Sequence, residues 1–194
     1  MREMINMIVV LTALTAVSGG LLAGIKTGTE ERIERQIFQY QLAPAMNDIF
    51  GEVTNDPAKE KFELESAGVK YKFFPAKMED GSKAVAFETK GKGGYGGDVG
   101  LMVGINLDTD AIVAARVTTH AETPGLGARA KDDPAFVSQF DGKTMDAKLG
   151  LKNDGGEIDA MSGATITSVA VTNAAEQAQA IYRELKPEIL KLIQ

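Results

Sequence analysis

An N-terminal transmembrane helix followed by an α+β domain, its largely antiparallel sheet flanked by helices, is the fold class this sequence predicts. Three observations carry the prediction. Ile5 to Ile25 holds no charged residue, and at the helical rise such a run spans ~30 Å, the thickness of a hydrocarbon core. Val99, Leu101, Val103, Ile105 and Leu107 alternate with Gly100, Met102, Gly104 and Asn106, the period of two that marks a strand. Between Thr167 and Leu185, residues Val171, Ala174, Ala175, Ala178, Ile181 and Leu185 share one helical face. Strands enclosed by terminal helices, with no internal repeat, indicate α+β layering.

The elements follow in order. Ile5 to Ile25 reads as a retained anchor. A cleaved signal peptide is the competing reading, but the apolar stretch is long and no A-x-A site follows it. Arg2 precedes the span, and Lys26 after it is soon followed by Glu30 and Glu31. Positive-inside reasoning then expects a single pass through the cell (inner) membrane with the main domain on the extracytoplasmic side. Gly20 and Gly24 stand at GxxxG spacing, which either lets a second helix pack closely or reflects the frequency of glycine in membrane spans.

Glu30 to Phe50 reads as a helix through Ile33, Ile37, Phe38, Met46 and Ile49, kinked or divided at Pro44. Residues 51–68 read as polar and irregular around the turn Asn55-Asp56-Pro57. Val69 to Phe74 and Lys83 to Thr89 read as strands joined through Glu79-Asp80-Gly81-Ser82. Val99 to Leu107 and Ile112 to Thr119 form a hairpin over Asp108-Thr109-Asp110. Pro134 to Phe140 is a short helix and Lys148 to Leu151 a short strand. The last helix breaks at Lys186-Pro187, leaving a final turn or two from Glu188 to Ile193. The chain thus divides into an anchor at 1–26, a helical connector and polar segment at 27–68, and a main domain at 69–194.

Composition narrows the chemistry. The chain has 194 residues, enough for one domain plus an appendage, and 44% of them are hydrophobic. It has no cysteine, which excludes disulfides, Cys-based zinc sites and Fe–S ligation by this chain. The formal charge is −6, a poor basis for binding nucleic acid. One histidine, His120, builds no His-rich metal site and reads as a hydrogen-bonded structural residue.

Three segments carry candidate chemistry. Asp159-Ala160-Met161-Ser162-Gly163-Ala164-Thr165-Ile166-Thr167 sets small residues and hydroxyls at a helix start. Backbone N–H groups there form an anion site, and a phosphate ester on a threonine would face the positive end of the helix dipole, worth ~0.3–1 kcal/mol. The same residues also suit ordinary helix caps. Lys92-Gly93-Gly94-Tyr95-Gly96-Gly97-Asp98 enters the best strand. It reads as a flexible surface loop or as main chain able to approach a flat ligand, with Tyr95 stacking or donating a hydrogen bond. A strand follows it, so the GxGxxG nucleotide fingerprint does not apply. His120-Ala121-Glu122-Thr123-Pro124-Gly125-Leu126-Gly127 leaves the hairpin through a Thr-Pro-Gly turn. It is either a plain rigid turn or a binding loop in which Leu126 packs against an aromatic ring.

The motif D-x-x-S-G-A-T at Asp159 to Thr165, the segment E-T-P-G-L-G at Glu122 to Gly127, and G-Y-G-G-D at Gly94 to Asp98 resemble the RnfG/NqrC FMN-binding family, subunits of Rnf-type and sodium-pumping respiratory complexes. The resemblance covers roughly residues 90 to 175 together with the anchor. The short chain and the absence of tryptophan favour the RnfG branch, with an NqrC-type subunit of a sodium-translocating NADH:quinone oxidoreductase as the alternative.

The resemblance implies FMN held by a phosphoester on Thr165. The set implied around it is Ser162, Gly163, Ala164 and Thr167 on the helix side. Glu122, Thr123, Gly125, Leu126 and Gly127 line the ring, with Tyr95 and Gly96 from the glycine loop. It implies electron transport between ferredoxin and NAD in an ion-translocating complex, with this chain a redox subunit that is not catalytic alone. It implies two kinds of partner: neighbouring membrane and redox subunits, and a separate flavin transferase that makes the ester from FAD with magnesium. The residues show no substrate pocket, NAD fingerprint or catalytic triad, so an electron relay is expected. A membrane-anchored flavin sensor and a cofactor-free interaction module remain the other two readings.

Overall fold

The structure is a computed structural model and describes residues 1–193; Gln194, the last residue of the expected main domain, lies outside them. Two compact units are present, Met1–Tyr40 and a second beginning at Gln41. Helix α1, Arg2–Ile37, makes up the first and buries none of its residues. It is long and apolar enough to cross a membrane. Thr15 Oγ1 donates to the Leu11 carbonyl at 2.9 Å and Thr29 Oγ1 to the Ile25 carbonyl at 2.8 Å, so these two hydroxyls are satisfied within the helix. Helix runs unbroken through residues 26–30, where the sequence pattern suggests that one element ends and another begins. The division falls further on, at a π-helical turn Phe38–Leu42 just before Pro44. Proline has no N–H to give, and its place in the first turn of α2, Ala43–Phe50, needs none.

The second unit is built on a five-stranded antiparallel meander, β1 Phe62–Ser66, β2 Val69–Lys77, β3 Lys83–Gly91, β4 Val99–Asn106 and β5 Ala111–Val117, in that spatial order. The β4 alternation puts Val99, Leu101, Val103 and Ile105 into the main core with Phe73, Phe87, Ala115 and Val117. Strand β1 lies in the segment expected to be irregular. Phe62, Leu64 and Ser66 alternate with Glu63 and Glu65, Phe62 stacks on Phe73 at 5.6 Å, and Ala67 and Gly68 turn the chain with φ of 50° and 78°. A two-residue turn with both φ positive matches the strand twist, but Ala-Gly hides it from the usual Asn-Gly or Asp-Gly signal.

Helix α5, Thr165–Leu192, covers the core face of the sheet. Thr89 Oγ1 donates to the Ala174 carbonyl at 2.8 Å. A Cβ at Gly91 would overlap the Ala170 carbonyl oxygen, so helix and strand touch main chain to main chain. Helix α2 lies on the other face, where a Cβ at Gly104 would strike Ile49. The expected break at Lys186-Pro187 does not occur, because Pro187 lies inside α5. Ile189 and Ile193 beyond it are buried, and that packing holds the last turns against the proline. Pro134–Val137 forms α4, continued by a short 3-10 turn, and follows α3 at Arg129–Asp132. Leu151 makes one bridge, to Ile158, in place of the expected strand at Lys148 to Leu151.

Candidate functional site

The start of α5 has no side-chain cap. Its N-cap is Ala164, and no side chain among the described residues bonds the first N–H groups. The hydroxyls around it have three different fates. Ser168, fully buried, accepts from the Met161 N–H at 2.9 Å and donates to the Ala164 carbonyl at 3.0 Å. It therefore staples the loop to the helix. Thr167, also buried, donates to Glu122 Oε2 at 2.6 Å. Thr165, the first helical residue, is exposed, and its hydroxyl has no partner among the described residues. Gly163, with φ of 77°, turns the chain so that this residue faces outward.

Glu122 is 6% exposed, and each carboxylate oxygen accepts one protein donor. Oε1 takes the Gly96 N–H at 2.9 Å and Oε2 takes Thr167. The glycine loop, the strand-exit loop and the helix start thus meet at one carboxylate. A Cβ at Gly96 would overlap the Ala121 carbonyl, and one at Gly127 would lie 2.5 Å from Thr167 Oγ1. Close approach, more than flexibility, explains those two glycines. Gly125 supplies the positive φ, 74°, in the turn after Pro124. The Leu126 and Ala128 N–H groups both donate back to the Thr123 carbonyl, at 3.2 and 3.1 Å. His120 Nδ1 accepts the Glu122 N–H at 3.2 Å, the structural role its isolation suggested.

These segments enclose an open cleft of about 610 Å³. Tyr95, Thr123, Leu126, Gly163, Ala164 and Thr165 line it, together with Glu122, Gly127, Ile166 and Thr167. Its rim is apolar, with Tyr95 75% exposed, Ile166 52% and Leu126 49%. Of the expected site residues, Ser162, Gly96 and Gly125 do not line it: Gly96 gives its N–H to Glu122, Gly125 shapes the turn, and the Ser162 carbonyl accepts Arg129 Nη1 at 3.4 Å. Sequence reasoning missed Ile166, Ser168 and Arg129. Arg129 stands just two residues past the E-T-P-G-L-G motif, and Ser168 is one turn beyond Ala164; neither signal could be read without knowing that the two segments meet.

The donor set fits a flavin mononucleotide on structural grounds. The cleft has the volume for a flat ring system, is apolar at its mouth, and is lined by the first residues of α5, whose N–H groups suit a phosphate. Residues 94–180 match the family model of the FMN-binding domain. The chain is 33% identical over 188 residues to the G subunit of the ion-translocating oxidoreductase complex from Salmonella typhi, covering 92% of this chain and 90% of that protein. It is 31% identical over 196 residues to the counterpart of the same name from Escherichia coli strain K12, covering 95% and 93%. Among solved structures, the C subunit of the Na(+)-translocating NADH-quinone reductase from Parabacteroides distasonis shares the fold, with a TM-score of 0.50, 24% identity and coverage of 66% of each chain.

Proposed function

The chain belongs to the family of G subunits of ion-translocating oxidoreductase complexes, and from that premise we propose that it carries FMN esterified to Thr165 and relays electrons through it within a membrane-bound complex. When bound, FMN supplies one- and two-electron redox chemistry. The chain's own residues do the rest. Leu126 and Tyr95 would pack against the ring, Glu122 and Thr167 line the cleft, and the uncapped α5 N–H groups would meet the phosphate charge.

The observation that carries this reading is the contrast among hydroxyls. Thr165 is exposed and uncommitted at the mouth of the cleft, while Thr167 and Ser168 are buried and already bonded. Of these three, Thr165 alone is exposed to a separate flavin transferase, and it is the one that stands at the first helical position of α5. In that reaction Thr165 Oγ attacks the flavin-side phosphorus of FAD. The anhydride bond to AMP breaks, AMP leaves with the bonding pair, and the threonine proton passes to the transferase or to water.

The binding domain on this reading lies within residues 69–194, behind a single-pass anchor. Arg2 before the span and Glu30 and Glu31 after it support an extracytoplasmic position for that domain. Other redox subunits must come to the flavin, because a tethered cofactor does not diffuse to them. Production with a flavin transferase should give a fluorescent band on a denaturing gel, and peptide mapping should find the added mass on the peptide containing Thr165. Thr165→Ala should remove both signals. A label that persists on Thr167 or Ser168 in that variant overturns the assignment. Electron transfer at the wild-type rate in a fully assembled complex carrying Thr165→Ala overturns the relay.

A further inference from the structure

We propose that Glu122 is a positioning residue: its carboxylate cross-ties the glycine loop to the start of α5 and thereby sets the width of the cleft. The inference rests on the flavin reading for what the cleft holds, but the cross-tie itself is a property of the protein. Glu122 sits on one side with the Gly96 N–H at 2.9 Å and on the other with the Thr167 hydroxyl at 2.6 Å. Both donors belong to segments far from it in the chain, 26 and 45 residues away. Both oxygens are therefore committed to protein donors, and the side chain is buried.

Glycines press on the carboxylate from two of the three segments. A Cβ at Gly94 would lie 2.6 Å from Oε1, and a Cβ at Gly127 would lie on Oε2. Glycine at these positions leaves the carboxylate its room, and a side chain at either would displace it. An ionised acceptor makes such bonds shorter and stronger than a neutral one, and burial raises the cost of leaving either donor unmet. Deleting Glu122 orphans the Gly96 N–H and the Thr167 hydroxyl together. The glycine loop has no other side-chain tie to this side of the cleft among the described residues.

The test separates geometry from charge. In Glu122→Gln the amide oxygen can accept from Gly96 and the amide N–H can donate to Thr167 Oγ1, so the tie survives without the charge. Glu122→Ala cuts it, Thr167→Val removes one arm, and Thr167→Ser keeps that arm. Amide hydrogen exchange on the full-length apoprotein reads the tie without any flavin. The Gly96 N–H should exchange about tenfold faster in Glu122→Ala than in wild type, with Glu122→Gln close to wild type.

In flavinylated protein, iodide quenching of the native flavin fluorescence should rise severalfold in Glu122→Ala. It should rise less in Thr167→Val, and stay near wild type in Thr167→Ser and Glu122→Gln. Unchanged Gly96 exchange in Glu122→Ala and in Thr167→Val overturns the proposal. So does a Glu122→Gln protein that behaves like Glu122→Ala, which would assign the effect to charge. If Glu122→Ala does not fold, the Thr167→Val and Thr167→Ser pair decides. A wild-type protein that takes up no flavin overturns the function proposed above while leaving the exchange result to judge the cross-tie.

Discussion

The two ends of helix α5 are treated in opposite ways. Toward its C-terminus the helix is tied down by its own side chains. Gln179 Nε2 donates to the carbonyls of Met145 and Ala147 at 3.1 and 2.8 Å. Tyr182 donates to Asp110 Oδ1 at 2.6 Å and Lys186 to Asp110 Oδ2 at 2.5 Å. Arg183 reaches the Met145 carbonyl at 2.8 Å. At the N-terminus the first residue is exposed, its hydroxyl has no partner among the described residues, and the helix has no side-chain cap. One end satisfies its polar groups from within the protein, and the other leaves them without side-chain partners among the described residues. The open end is fixed from behind, by Ser168, Thr167 and Gly91.

That contrast can be broken most severely at Gly91. Gly91→Val would drive a side chain into the Ala170 carbonyl and should destabilise the domain by about 3 kcal/mol, the upper part of the overpacking range, read as a lowered urea midpoint. At the tied end, Gln179→Ala leaves the Ala147 carbonyl without its side-chain donor, while the Met145 carbonyl keeps Arg183. A loss of about 2 kcal/mol is expected, since orphaned buried groups cost more than the bond itself. Tyr182→Phe should cost about 1 kcal/mol.

Acidity sharpens the same comparison. Burial alone would raise Asp110, but the hydrogen bonds from Lys186 and Tyr182 prevail and hold its carboxyl below the usual range. A depressed carboxylate contributes stability that is present above the unfolded value of about 3.9 and lost as pH falls through the folded one. Burial and the Asp110 carboxylate push the Tyr182 phenol up, so its contribution is complete below about pH 10 and is lost as pH rises further. Asp141 works against Asp110 on the acid side, because burial raises it despite Arg116. Asp110→Asn should therefore flatten the acid limb of a stability–pH curve. An acid limb of unchanged slope would show that Asp110 is not the group responsible.

The smallest effect is expected at the open end. Thr165→Ala removes a hydroxyl that bonds to nothing among the described residues, so stability should change by less than about 0.5 kcal/mol even as covalent flavin disappears. A large loss of stability there would make Thr165 structural and the contrast false.

Legibility in the sequence followed the range of the interactions. The β4–β5 hairpin could be read because alternation and its turn lie in one short window, and α5 because its apolar face repeats along one element. The two loops could be singled out by glycine content, and Thr165 by its motif. What brings them together could not be read. The Glu122–Thr167 bond joins residues 45 apart, and nothing near Thr167 shows that its hydroxyl is buried against a distant carboxylate. Pro187 defeated the local rule for the same reason, since buried Ile189 and Ile193 outweigh a proline only in three dimensions. Strand β1 was masked by glutamates on its outward positions and by an atypical turn.

On the proposed reading, the close approach of Gly91 to the Ala170 carbonyl would bear on the rate of a redox step. With no side chain between them, helix and sheet shift as a block, and the N–H groups at the head of α5 keep the orientation the sheet imposes. When the charge on a nearby cofactor changes by one or two electrons, dipoles held in that way have little rearranging to do. On that reading, the backbone of the fold would limit the reorganisation energy on this side of the cleft before any partner arrives.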